Sequence, residues 1–108
     1  MNTKYRRLSE EERLRLQQNS CEAEDWNEVY VAENFKADFV SHVMFSGTNY
    51  LGVMDGWFTL PGGIRKHSQL KYSTLHNVTV GDDCCIENVH NYIANYIIGD
   101  HTLIENIA

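Results

Sequence analysis

A glycine-rich turn followed by cations is the segment best suited to bind an anion. Gly62 and Gly63 precede Arg65 and Lys66, and Lys71 follows shortly after. Glycine amides beside Arg and Lys side chains can hold a phosphate or a carboxylate, so these residues form a candidate site for a phosphate- or sugar-bearing small molecule. The spacing fits neither a Walker loop nor a dinucleotide fingerprint. The commoner role of such a segment is a solvated hairpin whose charges protect a strand edge.

The sequence offers histidines and cysteines but no recognisable catalytic or metal-binding spacing. A histidine acts as a general base when a partner orients its ring, and the sequence names no partner for His76 or His90. Both are more often wall or surface side chains. Cys21, Cys84 and Cys85 are odd in number and lack zinc-knuckle spacing. Cys84 is therefore expected to be a small buried residue, and we predict no metal and no cofactor.

The elements that would position these residues are set by a repeat near the end of the chain, where the segment 92–108 copies the segment 74–91. Six positions are identical across the shift: Asn77/Asn95, Gly81/Gly99, Asp82/Asp100, Ile86/Ile104, Glu87/Glu105 and Asn88/Asn106. Bulky residues recur every sixth position, so we expect Val80 to lie beneath Ile98 and Ile86 beneath Ile104. Repeats of this kind are typical of stacked architectures. The Gly and Asn positions suit corners, because both residues tolerate positive φ.

Several contacts follow from this stacking. His101 occupies in the second copy the position that Asp83 has in the first, which predicts a contact between the two side chains. Asp82/Asp100 and Glu87/Glu105 would form ladders of like charge, kept apart by water, by corner hydrogen bonds or by a bound cation. An earlier segment, which starts at Val40, aligns with the one that starts at Leu75. In the first residues, Ser9 and Glu12 form a capping-box pattern that predicts a short helix ending near Asn19.

The hexads Val80-Gly-Asp-Asp-Cys-Cys and Ile98-Gly-Asp-His-Thr-Leu resemble those of hexapeptide-repeat, left-handed parallel β-helix proteins. The run from Leu75, with the preceding Leu60-Pro-Gly-Gly-Ile, is similar more narrowly to a bacterial β-helix family of gut anaerobes without assigned function. The resemblance covers residues 29–108. It implies an all-β fold: a left-handed parallel β-helix, or hexapeptide-repeat solenoid, with a short N-terminal α-helical cap. Residues 1–28 would be the cap and 29–108 the coils, with an irregular Pro-Gly-Gly loop near 55–73.

The same resemblance implies an enzymatic alternative. Many hexapeptide-repeat enzymes are acyltransferases that use a histidine as general base between the subunits of a trimer. His90 is then the first candidate catalytic residue, because the hexad pattern expects a small residue there, and His76 is the second. This chain would be an acyltransferase or a sugar-nucleotide-related enzyme, and a homotrimer.

Composition and charge exclude some classes of function. The chain has 108 residues and a formal net charge of −6, which disfavours a purely electrostatic nucleic-acid binder. No apolar run approaches the length that spans a bilayer, and the first residues lack the apolar core of a secretory signal. We therefore expect a cytoplasmic protein that binds neither nucleic acid nor membrane.

The repeat stops without a polar cap, which leads to the first expectation for function. The last strands would expose unpaired backbone groups and apolar side chains. The chain is then the non-catalytic, capped N-terminal part of a larger solenoid protein of unknown function. Its open C-terminal coil would be covered by the remainder of a longer chain or by another copy.

Overall fold

A computed structural model describes residues 5–89 and 92–105. One α-helix, α1 (Glu10–Gln18), and three 3-10 turns (Trp26–Glu28, Ala37–Phe39 and Pro61–Gly63) accompany the strands in this part of the chain. The strands, in chain order, are β1 (Tyr5–Arg7), β2 (Glu22–Ala23), β3 (Val29–Ala32), β4 (Val40–Ser46), β5 (Asn49–Leu51), β6 (Trp57–Thr59), β7 (Arg65–His67), β8 (Gln69–His76), β9 (Thr79–Val80), β10 (Cys85–Glu87), β11 (Ile93–Ala94), β12 (Ile97–Ile98) and β13 (Leu103–Glu105).

Helix α1 begins at the capping box that the sequence predicts. Ser9 Oγ accepts the backbone N–H of Glu12 at 3.1 Å, and Glu12 Oε1 accepts the Ser9 N–H at 2.9 Å. Asn19 is the C-cap, as expected. Leu16 is fully buried, so this short polar helix is held mainly by one inward side chain and its cap.

Two sheets contribute side chains to one core. The first has the strand order β1-β3-β5-β9-β12, and the second has the order β13-β10-β8-β4-β2, with β11 also paired to β8. Strands β6 and β7 form a separate antiparallel hairpin around Pro61–Gly63. Apolar residues from both sheets and from α1 form this core; the largest fully buried side chains include Leu16, Val31, Val40, Phe45, Leu51, Leu75 and Ile86.

The two repeats stack in the register that their spacing predicts. Val80 pairs with Ile98 in the first sheet, and Ile86 pairs with Ile104 in the second, both in parallel orientation. Asn77, Asn88 and Asn95 adopt positive φ, as expected for corner residues. These confirmed pairs define two layers, named here by their residues: the preceding layer (74–89, with β9 and β10) and the final layer (92–105, with β11, β12 and β13).

The earlier segment stacks in a different register from the predicted one. Val40 pairs with Leu70, not with Leu75, and Leu75 pairs with Phe45. Leu51 pairs with Val80. The alignment was wrong because the hairpin of β6 and β7 adds chain between β5 and β8. The sequence separation between Leu51 and its partner Val80 is therefore larger than the separation between Val80 and Ile98. A fixed period therefore does not carry across from the repeat.

The predicted fold class is wrong. A left-handed parallel β-helix of the hexapeptide-repeat type, or solenoid, is not what the chain forms, because its sheets are mixed. β1 runs antiparallel to β3, and β6 runs antiparallel to β7. The structure is a small globule of several mixed sheets and one helix. Two copies of a repeat specify how those copies pair, but they do not specify the architecture of the rest of the chain.

Candidate functional site

The predicted anion-binding residues do not converge on one point. Gly62 and Gly63 form the exposed tip of the hairpin with φ of 86° and 79°, in a conformation that favours glycine. The Arg65 guanidinium lies over the Trp57 ring, 4.7 Å from its centroid. Lys71 lies near a different ring, with its Nζ 5.6 Å from the Tyr72 centroid. An anion site at the hairpin stays a prediction.

Lys66, the remaining cation of that set, is already neutralised by carboxylates. Its ammonium contacts Glu87 and lies 2.9 Å from Glu105 Oε2. The hydrogen bond to Glu87 raises the pKa of Lys66. Burial alone would raise the pKa of Glu87, but the hydrogen bond and charge of Lys66 outweigh it, so the pKa is lowered. Gln69 Nε2 also donates to Glu87, at 2.6 Å.

This cluster shows how the chain tolerates its stacked glutamates. Glu87 and Glu105 are paired neighbours on β10 and β13, and their like charges would repel at this separation. The hairpin places Lys66 between them, so the side chain serves as the bridging cation. The second ladder uses corner hydrogen bonds instead, since Asp82 donates its backbone N–H to Asp100 Oδ1 at 2.8 Å.

The ring of His76 is held by hydrogen bonds on both nitrogens. Asn77 Oδ1 accepts the Thr48 N–H at 2.9 Å, so Asn77 Nδ2 is the group that faces His76 Nε2 at 3.1 Å. Nε2 is therefore the acceptor, and the hydrogen on Nδ1 points to Ser46 Oγ at 2.7 Å. With this tautomer Nδ1 does not accept the Ser46 hydroxyl proton, so the pair is not an activated nucleophile. Sequence reasoning missed Ser46, which is distant from His76 in sequence and meets it only through the pairing of β4 with β8.

The other histidines are placed by stacked rings. His101 lies on Phe58 at 4.3 Å between centroids, and the described residues show no hydrogen bond or ion pair between His101 and Asp83, so that predicted contact is wrong. His42 stacks on Tyr72 at 4.4 Å, and both line an open groove of about 450 Å³ on the outer face of β4 and β8. His90, the first catalytic candidate, lies outside the described residues and stays a prediction.

The thiols are structural. Cys21, Cys84 and Cys85 are free and buried, which confirms the expectation for Cys84. Burial raises the pKa of all three, and that of Cys85 to about 11, so none is an activated thiolate. Within residues 5–89 and 92–105, no group of three or more His, Cys, Asp or Glu side chains is placed to hold a metal ion.

The feature that stands out is the edge formed by β12 and β13. Ile97 is 84% exposed, and Tyr92 and Tyr96 are also exposed. Leu103 is 37% exposed, whereas Cys85, its partner in the preceding layer, is fully buried. An apolar hollow of about 210 Å³ opens at this edge, lined by Val89, Tyr92, Ile93, Tyr96, Ile98 and Ile104. We call this region the open edge.

A structural motif that we call the glycine corner lies beside the open edge. It comprises an aliphatic residue, a glycine and the residue after it, and it occurs three times: Leu51-Gly52-Val53, Val80-Gly81-Asp82 and Ile98-Gly99-Asp100. The three corners lie on successive strands of the first sheet. The repeat identified the second and third corners, and sequence reasoning missed the first, although its Leu-Gly pair is a visible signal.

The fold and this geometry define a small globule of mixed β-sheets with one covered edge and one open edge. The chain belongs to the family described as Domain of unknown function (DUF4954), whose model matches residues 5–108. The resemblance to hexapeptide-repeat β-helix proteins, in its broad and its narrower form, is corrected by this assignment and by the mixed sheets. An uncharacterized protein of Treponema pallidum (strain Nichols) is 32% identical over 109 residues.

That relative is much longer than this chain. The match covers 95% of this chain and 14% of the relative. A comparison with solved structures finds no match. No helix within the described residues has the length and apolar character needed to cross a bilayer.

Proposed function

We propose that this chain is a non-catalytic structural unit, the covered end of a larger protein assembly. The observation that carries the proposal is the contrast between its two edges. One edge is closed by elements of the chain itself, and the other presents Ile97, Tyr96 and an apolar hollow to solvent.

The closed edge is protected in several ways. Helix α1 inserts Leu16 into the core, and Asn19 Nδ2 donates to the carbonyls of Ala37 and Val40 at 3.0 and 3.1 Å. Strand β1 covers the outer side of β3 with a short, antiparallel strand that carries Arg6. Short and charged edge strands are how proteins prevent unwanted strand pairing. The open edge carries no such protection among the described residues, apart from Glu105.

The length of the relative supports a unit within a larger protein. Most of the Treponema protein lies outside the matched segment, so a unit of this kind occurs there with a large amount of additional chain. Coverage of the open edge by that additional chain fits the apolar exposure, since large exposed apolar patches mark interaction surfaces.

Catalysis receives less support from the site. Both ring nitrogens of His76 are hydrogen-bonded. The cations predicted to bind an anion lie elsewhere: Lys66 pairs with Glu87 and Glu105, and Arg65 and Lys71 lie over aromatic rings. The acyltransferase alternative depended on the hexapeptide-repeat class, which the fold does not support. A cytoplasmic location is part of the proposal, because free buried cysteines suit a reducing compartment.

The proposal is tested by the behaviour of the isolated chain and two matched variants. The chain should bind a hydrophobic dye and self-associate as its concentration rises, because residues 5–89 and 92–105 leave the open edge exposed. Ile97→Lys places a charge on that edge and should reduce both signals. Ile64→Lys changes a side chain that is 62% exposed at the hairpin tip, and it should leave them unchanged.

Dye fluorescence and sedimentation velocity provide the measurements. A chain that stays monomeric at high concentration and binds no dye would contradict the proposal. So would an equal effect of Ile64→Lys and Ile97→Lys, because the association would then not involve the open edge.

A further inference from the structure

We propose that the open edge accepts a parallel strand layer that carries its own glycine corner with an aspartate after the glycine. The incoming glycine would lie over Gly99, and the incoming aspartate would accept the Asp100 N–H. This inference rests on the proposed function and specifies the partner: a further segment of polypeptide with an aliphatic-Gly-Asp sequence, supplied by a longer chain.

The first step is a set of three hydrogen bonds that joins the first two corners. Gly52 donates its N–H to the Val80 carbonyl at 2.8 Å. Val53 donates its N–H to Asp82 Oδ1 at 2.9 Å. Asp83, which follows the second corner directly, donates its N–H back to the Val53 carbonyl at 2.8 Å.

The same three bonds recur between the second and third corners. Gly81 donates to the Ile98 carbonyl at 2.8 Å, and Asp82 donates to Asp100 Oδ1 at 2.8 Å. His101 donates back to the Asp82 carbonyl at 2.8 Å. Each corner therefore donates two N–H groups, one to a carbonyl and one to a carboxylate of the next corner. In return, its carbonyl accepts the N–H of the residue that follows the next corner.

The third corner has the same donor and acceptor groups, but no following corner is found among the described residues to bond with them. Among residues 5–89 and 92–105, no acceptor is found for the Gly99 N–H or the Asp100 N–H. A layer with a different corner could pair with the strand edge, but only an acidic or similarly short accepting side chain could reach the Asp100 N–H as Asp100 reaches Asp82.

The glycines support the same conclusion through close approach. A Cβ atom on Gly52 would lie 2.6 Å from the carbonyl of Gly81, and one on Gly81 would lie 2.8 Å from the backbone N of Asp100. Neither glycine has positive φ, so the neighbouring corner is what requires the absence of a side chain. A Cβ on Gly99 would meet nothing within 4 Å, which is the space that an incoming corner would occupy.

A second copy of this chain does not fit as the parallel layer. Its first corner, at Gly52, follows β5, whose other side is paired with β3, and β3 is covered by β1. A copy could meet the open edge only through its own open edge, which would reverse the strand direction and misplace the aspartate. The layer must therefore come from other polypeptide.

The test extends the full chain by one layer. A copy of the segment 91–108 is appended directly after Ala108, so that the new Gly-Asp pair follows Gly99-Asp100 at the same spacing as Gly99-Asp100 follows Gly81-Asp82. Residue-resolved amide hydrogen exchange is measured by NMR for Gly99 and Asp100. We expect both amides to exchange at least about tenfold more slowly in the extended chain, since hydrogen-bonded amides exchange only through opening.

Two variants test the chemistry of the corner. Replacing the appended aspartate with alanine should restore fast exchange at Asp100 and leave Gly99 protected. Gly99→Ala should be harmless in the original chain but should abolish the protection in the extended chain, because the new Cβ would meet the incoming backbone.

The outcomes separate this inference from the proposed function. Equal protection of Asp100 by an appended layer with or without the aspartate would overturn the inference that the incoming aspartate accepts the Asp100 N–H, while the open edge would remain a binding surface. Exchange is measured at concentrations at which sedimentation velocity shows monomers, and equal protection of the Gly99 and Asp100 amides in the original and the extended chain would overturn the inference. Absence of protection in every extension would overturn it too, and the Ile97→Lys experiment would then decide on the proposed function by itself.

Discussion

Gly81→Ala and Gly99→Ala form a matched pair of substitutions with opposite expected effects. Both glycines occupy the same corner position, one layer apart, and neither has positive φ, so alanine is compatible with the backbone at both. The only difference is the neighbour. A Cβ on Gly81 would lie 2.4 Å from Asp100 Oδ1 and 2.8 Å from the Asp100 backbone N, whereas a Cβ on Gly99 would meet nothing within 4 Å.

The magnitudes follow from these distances. Overpacking against backbone costs about 1–3 kcal/mol, and displacing the Asp100 carboxylate loses its hydrogen bond from the Asp82 N–H, worth about 1.5–3 kcal/mol because one partner is charged. Alanine recovers about 0.4–1 kcal/mol by restricting the unfolded chain. Gly81→Ala should therefore lower the free energy of unfolding by about 2–5 kcal/mol, and Gly99→Ala should leave it unchanged or raise it by about 0.4–1 kcal/mol.

Urea unfolding followed by tryptophan fluorescence measures both variants against the original chain. Equal free energies of unfolding for Gly81→Ala and Gly99→Ala would refute the reasoning, because they would show that the contact with the next corner does not determine the glycine. A large loss in Gly99→Ala alone would refute it as well.

Three further predictions concern polar groups that are buried or half-buried. Lys66→Met should lower the free energy of unfolding by about 1–3 kcal/mol, because it leaves carboxylates without a counter-charge, whereas Lys71→Met should change it by less than about 0.5 kcal/mol; urea titration distinguishes them. Since the pKa of Glu87 is lowered in the folded state, its stabilisation is present above the ordinary value of 4.5 and is lost as the pH falls below it, so Lys66→Met should flatten the acid limb of a stability–pH curve. Asn49→Ala should cost about 2–4 kcal/mol in thermal unfolding, because this buried amide bonds one backbone N–H and two carbonyls; an unchanged melting temperature would contradict this role.

The final two layers could be predicted from the sequence because both copies of the repeat are present. Identical residues at equivalent positions favour identical pairing, and Val80 with Ile98 and Ile86 with Ile104 are the result. The capping box at Ser9 is another local signal that was sufficient by itself. Both signals are local, because the capping box contains both hydrogen-bond partners and the repeat contains both of the segments that pair.

The strand pairing in the first half of the chain could not be predicted from such local signals. The buried residues of β4 are Val40, Val43 and Phe45, and a pattern of apolar residues along one strand does not by itself select the partner strand or its register. The β1 segment, Tyr5–Arg7, carries no strand signal, and its antiparallel pairing with β3 joins segments that are separated in sequence by α1 and β2. These long-range choices made the predicted architecture wrong even where the repeat was read correctly.

In the candidate site, too, the local features could be predicted and the long-range contacts could not. The repeat places Glu87 and Glu105 at equivalent positions, which predicts that water, hydrogen bonds or a cation must relieve their repulsion. Lys66 is that cation, and it lies on a hairpin far from both glutamates in sequence, whereas its sequence context predicts an anion site. A single sequence records which charges exist, but the fold decides which of them meet.

The glycine corners also show that a neighbouring segment can determine a residue type. Positive φ was the expected reason for Gly81 and Gly99, and the backbone does not support it. Gly81 is required by the corner that follows it, since any side chain would strike Asp100. Gly99 has neither requirement within the described residues, yet it repeats both the glycine and the aspartate of the preceding corner. A further glycine corner packed against Gly99 would explain why this position is a glycine. The open edge is therefore the place at which the function of the chain should be tested.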